Sequence, residues 1–339
     1  KANHRKPDLT DMTDSLLVVA PMEGLTGFPF RRVHAHFFGA ADAYFLPFVT
    51  PTTLPRFTER QMRELAPDVN IGIKAVPQLL TRRVEDFVWA AKALADLGYD
   101  EVNLNLGCPA GTVVAKGKGS GFLREPFELQ RFLDKIFSAD LPIRISVKTR
   151  IGWADEQEFD LLADVYNHYP QMKSLTIHPR VRSDFYKGEI RENVFGHYFH
   201  SFKMPIGFNG DVITVSDLER VKTKYRPLAH IMVGRALMAD PALFRKAKGG
   251  AAATLSEIQT YYDALLESYC VAFGNVKNAL MRMKEYWFFQ HNLFDNAERA
   301  VKAIYKAKTM DDYLSATRQI YENCPLRTES SFGWKKELL

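Results

Sequence analysis

Residues 101–109, with the sequence EVNLNLGCP, form the segment of this chain best suited to chemistry. Apolar residues alternate with polar ones over the first six positions, which is typical of a β-strand. Gly107 then permits a sharp turn, and Pro109 cannot continue a hydrogen-bonded ladder. A thiol at Cys108, just past the strand end and beside the Asn105 amide, is suited to donating a proton to a bound polar ring. The alternative is a small buried cysteine with no chemical role, because free cysteine is often only core packing.

Eight short apolar runs of this kind recur along the chain and must position the polar residues. They span residues 16–22, 43–49, 74–80, 101–107, 143–149, 174–179, 205–210 and 230–235. Runs that are apolar on both faces are typical of a parallel sheet buried between helices. Helix-like segments lie between most of them, and the clearest is 83–97, which ends at Gly98. The pattern predicts an α/β fold, a (β/α)8 TIM barrel.

An open doubly wound sheet is the alternative architecture. It would normally carry a glycine-rich GxGxxG turn after its first strand. This chain has Pro21, Met22, Glu23 and Gly24 at that place instead. The sequence therefore favours the barrel.

Beyond residue 250 only helix-like segments follow, at 255–273, 276–290, 297–306 and 310–323. Four helices of this length fit a small bundle. The predicted organisation is a flexible N-terminus at 1–14, the barrel at 15–246, a linker at 247–254, a C-terminal helical-bundle domain at 255–325 and a flexible C-terminus at 326–339.

Polar residues stand at most of the predicted strand ends, where barrel enzymes carry their chemistry. They are Glu23, Gln78, Asn105, Cys108, Lys148, Arg150, His178, Arg180, Asn209, Asp211 and Arg235. Each has a plain structural explanation when taken singly. A set that converges on one barrel mouth needs partners, and a planar ligand rich in donors and acceptors would supply them.

The composition of this set indicates a flavin mononucleotide. Gln78 and Lys148 suit hydrogen bonds to the pyrimidine edge of the flavin ring. Gly210 and Gly234 permit close backbone approach and Arg235 adds charge, so the last two strand ends predict a phosphate site. No acidic or histidine cluster has the spacing of a metal site, so we expect no metal.

Composition limits the class of protein. The 339 residues are 46% hydrophobic and 25% charged, as in globular proteins, and no apolar run approaches the roughly 18 residues that cross a bilayer. The three cysteines lie far apart, which excludes a disulfide framework and fits a reducing compartment. The net charge of +5 permits a polyanionic partner without requiring one. We expect a cytoplasmic monomer without membrane contact.

With these motifs in their order, the chain resembles the FMN-dependent tRNA-dihydrouridine synthases. The matching motifs are Ala20–Gly24, Gln78–Leu80, Asn105–Pro109, Val147–Arg150, His178 with Arg180, Asn209–Asp211 and Gly234–Ala236. Three positions depart from the family pattern: Val181 stands where threonine is usual, Asp211 where glutamate is common, and Thr81 where glycine is common.

The resemblance implies a barrel that holds FMN and a helical domain that binds tRNA. Reduced flavin, recharged by NADPH, would give hydride from N5 to C6 of a uridine, and Cys108 would then protonate C5. Asn105 would recognise the uracil, and Arg180, Arg182 and Tyr186 would lie near the RNA. The residues implied for FMN are Pro21, Met22, Glu23, Gln78, Lys148, His178, Asn209, Gly210, Asp211, Gly234 and Arg235.

Two basic segments extend this prediction. Residues 116–121 (KGKGSG) are either a solvated loop or a mobile segment whose Lys116 contacts RNA phosphates. In segment 276–290, Arg282 and Lys284 could contact phosphates, whereas the aromatic run at 286–289 is expected to pack in the bundle core.

Three functional alternatives stay open at this point. They are a flavin oxidoreductase acting on a free small molecule, of the dihydroorotate or ene-reductase type, a dihydrouridine synthase acting on ribosomal RNA, and a non-catalytic RNA-binding protein.

Overall fold

A computed structural model describes residues 14–333, so residues 1–13 of the predicted flexible N-terminus (1–14) and residues 334–339 of the predicted flexible C-terminus (326–339) lie outside the described residues. Within that range, nine strands form one parallel sheet in the order β3-β2-β1-β9-β8-β7-β6-β5-β4. They are β1 (Leu16–Val19), β2 (Ala43–Phe45), β3 (Ala75–Val76), β4 (Gln78–Leu79), β5 (Glu101–Leu106), β6 (Arg144–Gly152), β7 (Leu175–Val181), β8 (Ile206–Asn209) and β9 (His230–Val233).

The sheet closes into a barrel at Pro77, within the third predicted run. β3 pairs with β2, and β4 pairs with β5, so the two pieces lie at opposite ends of the strand order. A proline cannot donate to a ladder, which explains why the strand is interrupted there. Leu79 also bridges to Val49 in parallel. The predicted eight-stranded (β/α)8 barrel is therefore confirmed, with its third strand in two pieces.

In the described part of the chain, ten helices surround the barrel. They are α1 (Phe28–Phe37), α2 (Glu59–Leu65), α3 (Val84–Asp96), α4 (Gly111–Val114), α5 (Pro126–Ser138), α6 (Glu158–Asn167), α7 (Glu192–Tyr198), α8 (Val215–Lys224), α9 (Arg235–Ala239) and α10 (Leu243–Ala247). α3 shows why such segments are helical, since Phe87, Ala91 and Leu94 recur on one face and are fully buried against the sheet.

Four further helices follow the barrel, up to residue 333: α11 (Leu255–Phe273), α12 (Val276–Gln290), α13 (Val301–Lys306) and α14 (Met310–Asn323). α11 begins at a capping box between Thr254 and Glu257, and it ends where Gly274 adopts a left-handed conformation with φ of 58°. Three of the four helices have the predicted limits, and α13 begins four residues later than predicted. No helix of residues 14–333 has the length and apolar character needed to span a membrane.

The helical domain packs directly on the loop that follows β1. The Tyr286 hydroxyl of α12 donates to the Leu25 carbonyl and also bonds the Tyr269 hydroxyl at 2.9 Å. The Tyr261 ring of α11 packs edge-on against Phe38 at the end of α1, with ring centroids 5.1 Å apart. These contacts hold α12 beside the carboxyl ends of the barrel strands.

Candidate active site

The carboxyl ends of the strands surround a cavity of about 550 Å³, a size typical of small-ligand sites. Cys108, Asn105 and Tyr186 line it. All but one of the residues predicted to bind a cofactor line it as well: Pro21, Met22, Glu23, Lys148, His178, Asn209, Gly210, Asp211, Gly234 and Arg235. The structure thus brings residues from distant parts of the chain to one place, as the barrel prediction requires.

Gln78 is the exception among the predicted cofactor residues. Its side chain is fully buried and does not line the cavity. The Gln78 amide donates to Asn103 Oδ1 at 2.7 Å and accepts from Asn105 Nδ2 at 2.7 Å. Gln78 therefore lies one layer below the cavity and supports Asn105.

Five predicted RNA-contacting residues also lie away from the cavity lining: Arg180, Arg182, Lys116, Arg282 and Lys284. Lys116 is exposed. The other four contact protein groups, and their RNA roles stay predictions.

Arg282 and Lys284, the two cations of α12 predicted to contact phosphates, contact protein groups in this structure. The Arg282 guanidinium lies against Gly24 and pairs with Glu285. The Lys284 ammonium donates to the Ala307 carbonyl at 2.6 Å, where α13 ends. Arg282 therefore contacts the barrel loop that follows β1, whereas Lys284 ties α12 to the end of α13.

A chain of buried amides supports the loop that carries Cys108. Asn103 donates to Ser146 Oγ at 2.9 Å and accepts from Gln78, which in turn accepts from Asn105. The parallel register explains this chain, because Gln78 is level with Asn103 on β5, and Asn103 is level with Ser146 on β6. Each buried amide in this chain finds a partner in the neighbouring strand, which fixes the Asn105 carboxamide.

Asn105 in turn holds the loop that carries Cys108. Its Oδ1 accepts from the backbone N–H of Gly107 at 3.0 Å and of Cys108 at 2.9 Å. Arg150 donates from Nε to the Gly107 carbonyl at 2.9 Å, and Ser120 Oγ donates to the Cys108 carbonyl at 2.8 Å. The peptide groups on both sides of Cys108 are therefore held by side chains.

The predicted basic loop is a buried turn rather than a solvated segment over most of its length. Residues Gly119–Arg124 form a 3-10 helix in which Gly119 to Leu123 are buried. A Cβ at Gly119 would lie 2.8 Å from the Cys108 carbonyl oxygen, so only glycine fits this approach. This turn backs the Cys108 loop, and the predicted mobility of the segment stays a prediction.

Burial is the largest cause of the shifted pKa values of the titratable groups around the cavity. It raises the pKa of the Cys108 thiol, assisted by Glu23, although the Ala110 backbone, Arg150 and Lys148 act in the opposite direction. A thiol with a raised pKa stays protonated at neutral pH.

Burial also lowers the pKa of Lys148 to about 7, and the neighbouring Arg150 acts in the same direction. The pKa of His178 lies well below its ordinary value, through burial and then through Arg150 and Lys148. Arg180 Nη1 donates to His178 Nε2 at 3.0 Å, so the neutral ring carries its proton on Nδ1. The ligand-free cavity thus disfavours positive charge.

The last two strand ends form the glycine-containing side of the cavity. Asp211 adopts a positive φ of 46°, and its carboxylate pairs with Arg180 at 2.6 Å and with Arg235 at 3.3 Å. A Cβ at Gly234 would lie 2.8 Å from Met22 Sδ, so a larger residue there would displace the Met22 side chain. Among residues 14–333, no group of three or more His, Cys, Asp or Glu could hold a metal ion.

Four aromatic residues that were not predicted as site residues also line the cavity: Phe48, Phe185, Phe289 and Phe332. Phe289 follows from the position of α12 across the barrel mouth. The aromatic run at 286–289 is predicted to pack in the bundle core, and Tyr286 and Trp287 are indeed buried, whereas Phe288 is 49% exposed and Phe289 lines the cavity. The polar residues at the strand ends do not indicate Phe289, because Phe289 lies in α12 and not in the barrel.

Phe332 comes from the segment predicted to be a flexible C-terminus. In the structure, the Arg327 N–H donates to the Leu293 carbonyl at 2.9 Å and the Ser331 N–H donates to the Asn292 carbonyl at 2.8 Å. Lys246 Nζ of α10 donates to the Thr328 carbonyl at 2.6 Å. Residues 326–333 thus run from the helical domain back to the barrel, where the Phe332 ring meets Phe289 with centroids 5.5 Å apart.

Replacing Lys148 by methionine should stabilise the flavin-free protein near pH 7 by up to about 5 kcal/mol, since the pKa falls from 10.5 to about 7 and one pKa unit is worth about 1.4 kcal/mol. Between the folded pKa of about 7 and the ordinary value of 10.5, the unfolded chain binds more protons, so wild-type stability rises with pH. The gain of Lys148→Met should therefore shrink as pH rises from 7 towards 10. Urea unfolding at both ends of this range measures it.

The exposed Lys277 offers a matched control, and Lys277→Met should change stability little at either pH. A Lys148→Met gain that grows with pH would contradict the buried-lysine account.

Comparison with known proteins shows the family of this chain. The family model "Dihydrouridine synthase (Dus)" matches residues 18–328. The chain is 29% identical to tRNA-dihydrouridine synthase B of Pasteurella multocida, over 68% of each chain, and 28% identical to that of Serratia marcescens, over 92% of this chain and 94% of the other. Among solved structures, the old yellow enzyme from Trypanosoma cruzi aligns with a TM-score of 0.49 at 12% identity, over 74% of this chain and 93% of the other. The chain therefore belongs to the dihydrouridine synthase family.

Proposed function

We propose that this protein reduces a uridine of tRNA to 5,6-dihydrouridine, with FMN bound in the cavity and NADPH as the reductant. The observation that carries the proposal is the half-buried Cys108 thiol at the wall of the cavity, whose backbone Asn105, Arg150 and Ser120 hold in place. Family membership and the relatives named tRNA-dihydrouridine synthase B support the same function.

The residues around the cavity fit FMN. Lys148 and the Nδ1–H of His178 are donors for the acceptor-rich pyrimidine edge of the flavin ring. Arg235 with Gly210 and Gly234 provides charge and close backbone approach for a phosphate, at the usual phosphate position of barrels. When bound and reduced by NADPH, the flavin supplies hydride to C6 of the uracil. An anionic group beside Lys148 would also raise its pKa and relieve the unfavourable burial of its charge.

Cys108 supplies the proton. Hydride addition at C6 leaves negative charge on the uracil carbonyl and C5, and transfer of the thiol proton to C5 completes the saturated bond. The thiolate that remains is reprotonated from solvent. Because burial keeps Cys108 protonated at neutral pH, it acts as an acid rather than as a nucleophile.

Asn105 has two tasks in this proposal. Its Oδ1 holds the Cys108 loop, and one Nδ2 hydrogen binds Gln78. The second Nδ2 hydrogen would donate to a uracil carbonyl as charge develops there. A single residue would then position both the base and its acid.

The experiment that tests the function is nucleoside mass spectrometry of a tRNA incubated with the FMN-loaded protein and NADPH. We expect uridine to gain two hydrogens at one or few positions. Reduction of free orotate or enones, with tRNA unchanged, would instead support a small-molecule oxidoreductase. If only ribosomal RNA gained hydrogen, the substrate would be ribosomal RNA rather than tRNA.

Removing the acid separates its role from cofactor binding. Cys108→Ala should retain FMN and lose about two to four decades of the single-turnover rate, the usual contribution of a general acid. The wild-type rate should hold through neutral pH and fall only as pH rises through the raised thiol pKa. Cys270→Ala, in α11, is the control. Normal turnover by Cys108→Ala would show that another group donates the proton.

The aromatic wall formed by Phe289 and Phe332 generates a prediction about the cofactor. Phe332→Ala should weaken FMN binding by about threefold to tenfold, since an aromatic contact is worth about 0.5–1.5 kcal/mol. Fluorescence titration of the flavin-free protein measures the affinity. Phe288→Ala changes a neighbouring ring that is 49% exposed and does not line the cavity, and should bind FMN like wild type. Equal affinities for both variants would exclude Phe332 from the cofactor site.

A further inference from the structure

A row of alternating guanidinium groups and aromatic rings leads away from the cavity mouth. The Arg182 guanidinium lies 4.7 Å from the centre of the Phe185 ring and 4.7 Å from that of Trp153. The Arg124 guanidinium lies 4.5 Å from the centre of the Trp153 ring. We call Phe185, Arg182, Trp153 and Arg124 the rim stack.

Three successive barrel loops build the rim stack. Arg124 ends the 3-10 turn after β5, Trp153 directly follows β6, and Arg182 and Phe185 follow β7. The Ser183 N–H donates to the Trp153 carbonyl at 3.1 Å, which ties two of these loops together. The row therefore runs along the barrel rim and has a fixed geometry.

Phe185 connects the rim stack to the cavity. Its ring lines the cavity and is 43% exposed, next to Tyr186, which is 47% exposed. Phe185 has φ of 53° and ψ of −102°, a conformation that a phenylalanine adopts only at a cost in energy. This backbone holds the Phe185 ring at the mouth of the cavity.

The charges of the rim stack are available to an anion. Within residues 14–333 neither Arg124 nor Arg182 forms an ion pair, and the nearby carboxylates of Asp184 and Glu156 pair with Arg191. An exposed ring at Phe185 and a half-buried ring at Trp153, interleaved with guanidinium groups, match an unpaired nucleic-acid strand, whose bases stack on both kinds of group and whose phosphates neutralise the charge.

We propose that the rim stack binds the unpaired nucleotides that flank the uridine in the cavity. This inference rests on the proposed function, because it assigns a position on the protein to the RNA strand from which the uridine is extruded. Extrusion unstacks the neighbouring bases, and new stacking partners on the protein compensate for that loss. The RNA strand therefore leaves the cavity over the loops that follow β5, β6 and β7.

The test measures tRNA affinity of the FMN-loaded protein by fluorescence anisotropy at several salt concentrations. Trp153→Ala should weaken binding by between about fivefold and a hundredfold, the loss of one base stack, and Trp153→Phe should restore most of it. Arg124→Ala should weaken binding and reduce the salt dependence by about one released ion, whereas Arg124→Lys should keep the salt dependence.

Arg131→Ala is the matched control, because Arg131 is an exposed arginine of α5 that pairs with Glu128. FMN content of each variant reports whether it folds. Wild-type affinity of both Trp153→Ala and Arg124→Ala would overturn the proposal, as would equal loss in the Arg131→Ala control. Failure of the proposed function would look different, since the wild-type protein itself would then leave tRNA unreduced.

Discussion

The site depends on one carboxamide, that of Asn105. It ends a chain of hydrogen bonds that runs from Ser146 through Asn103 and Gln78 across three neighbouring strands. Its Oδ1 also accepts hydrogen bonds from the backbone N–H groups of Gly107 and Cys108. Buried polar groups require partners, so this chain holds only in one register of the sheet. The barrel therefore fixes the thiol through hydrogen bonds rather than through packing alone.

The second constraint is charge in a confined space. Lys148, Arg150 and Arg235 line the same cavity, and Asp211 already pairs with two arginines. Burial shifts the pKa of Lys148 and of His178 downwards, so the cavity wall disfavours their protonated forms. An anionic ligand rich in acceptors resolves this, which supports the proposed FMN, and it leaves the neutral thiol as the group able to release a proton.

The barrel could be predicted from sequence because strands buried on both faces leave continuous apolar runs, and polar residues at their ends mark the cavity. The position of Gln78 could not be predicted, since the sequence shows that a strand end is polar but not whether its side chain lines the cavity or lies below it. Phe289 and Phe332 belong to a helix and to a segment without periodicity, and only the docking of the helical domain brings them to the barrel. The rim stack likewise joins three loops whose sequences share no pattern.

The central claim is that Cys108 is a neutral acid and not a nucleophile. The rate of its alkylation by iodoacetamide, followed against pH in protein whose Cys270 and Cys324 are replaced by serine, reports the thiol pKa directly. The account predicts a slow reaction that accelerates only above pH 9, because burial raises the pKa above its ordinary value of 9.0. Fast alkylation with a midpoint below about pH 7, as in activated thiolates, would contradict it.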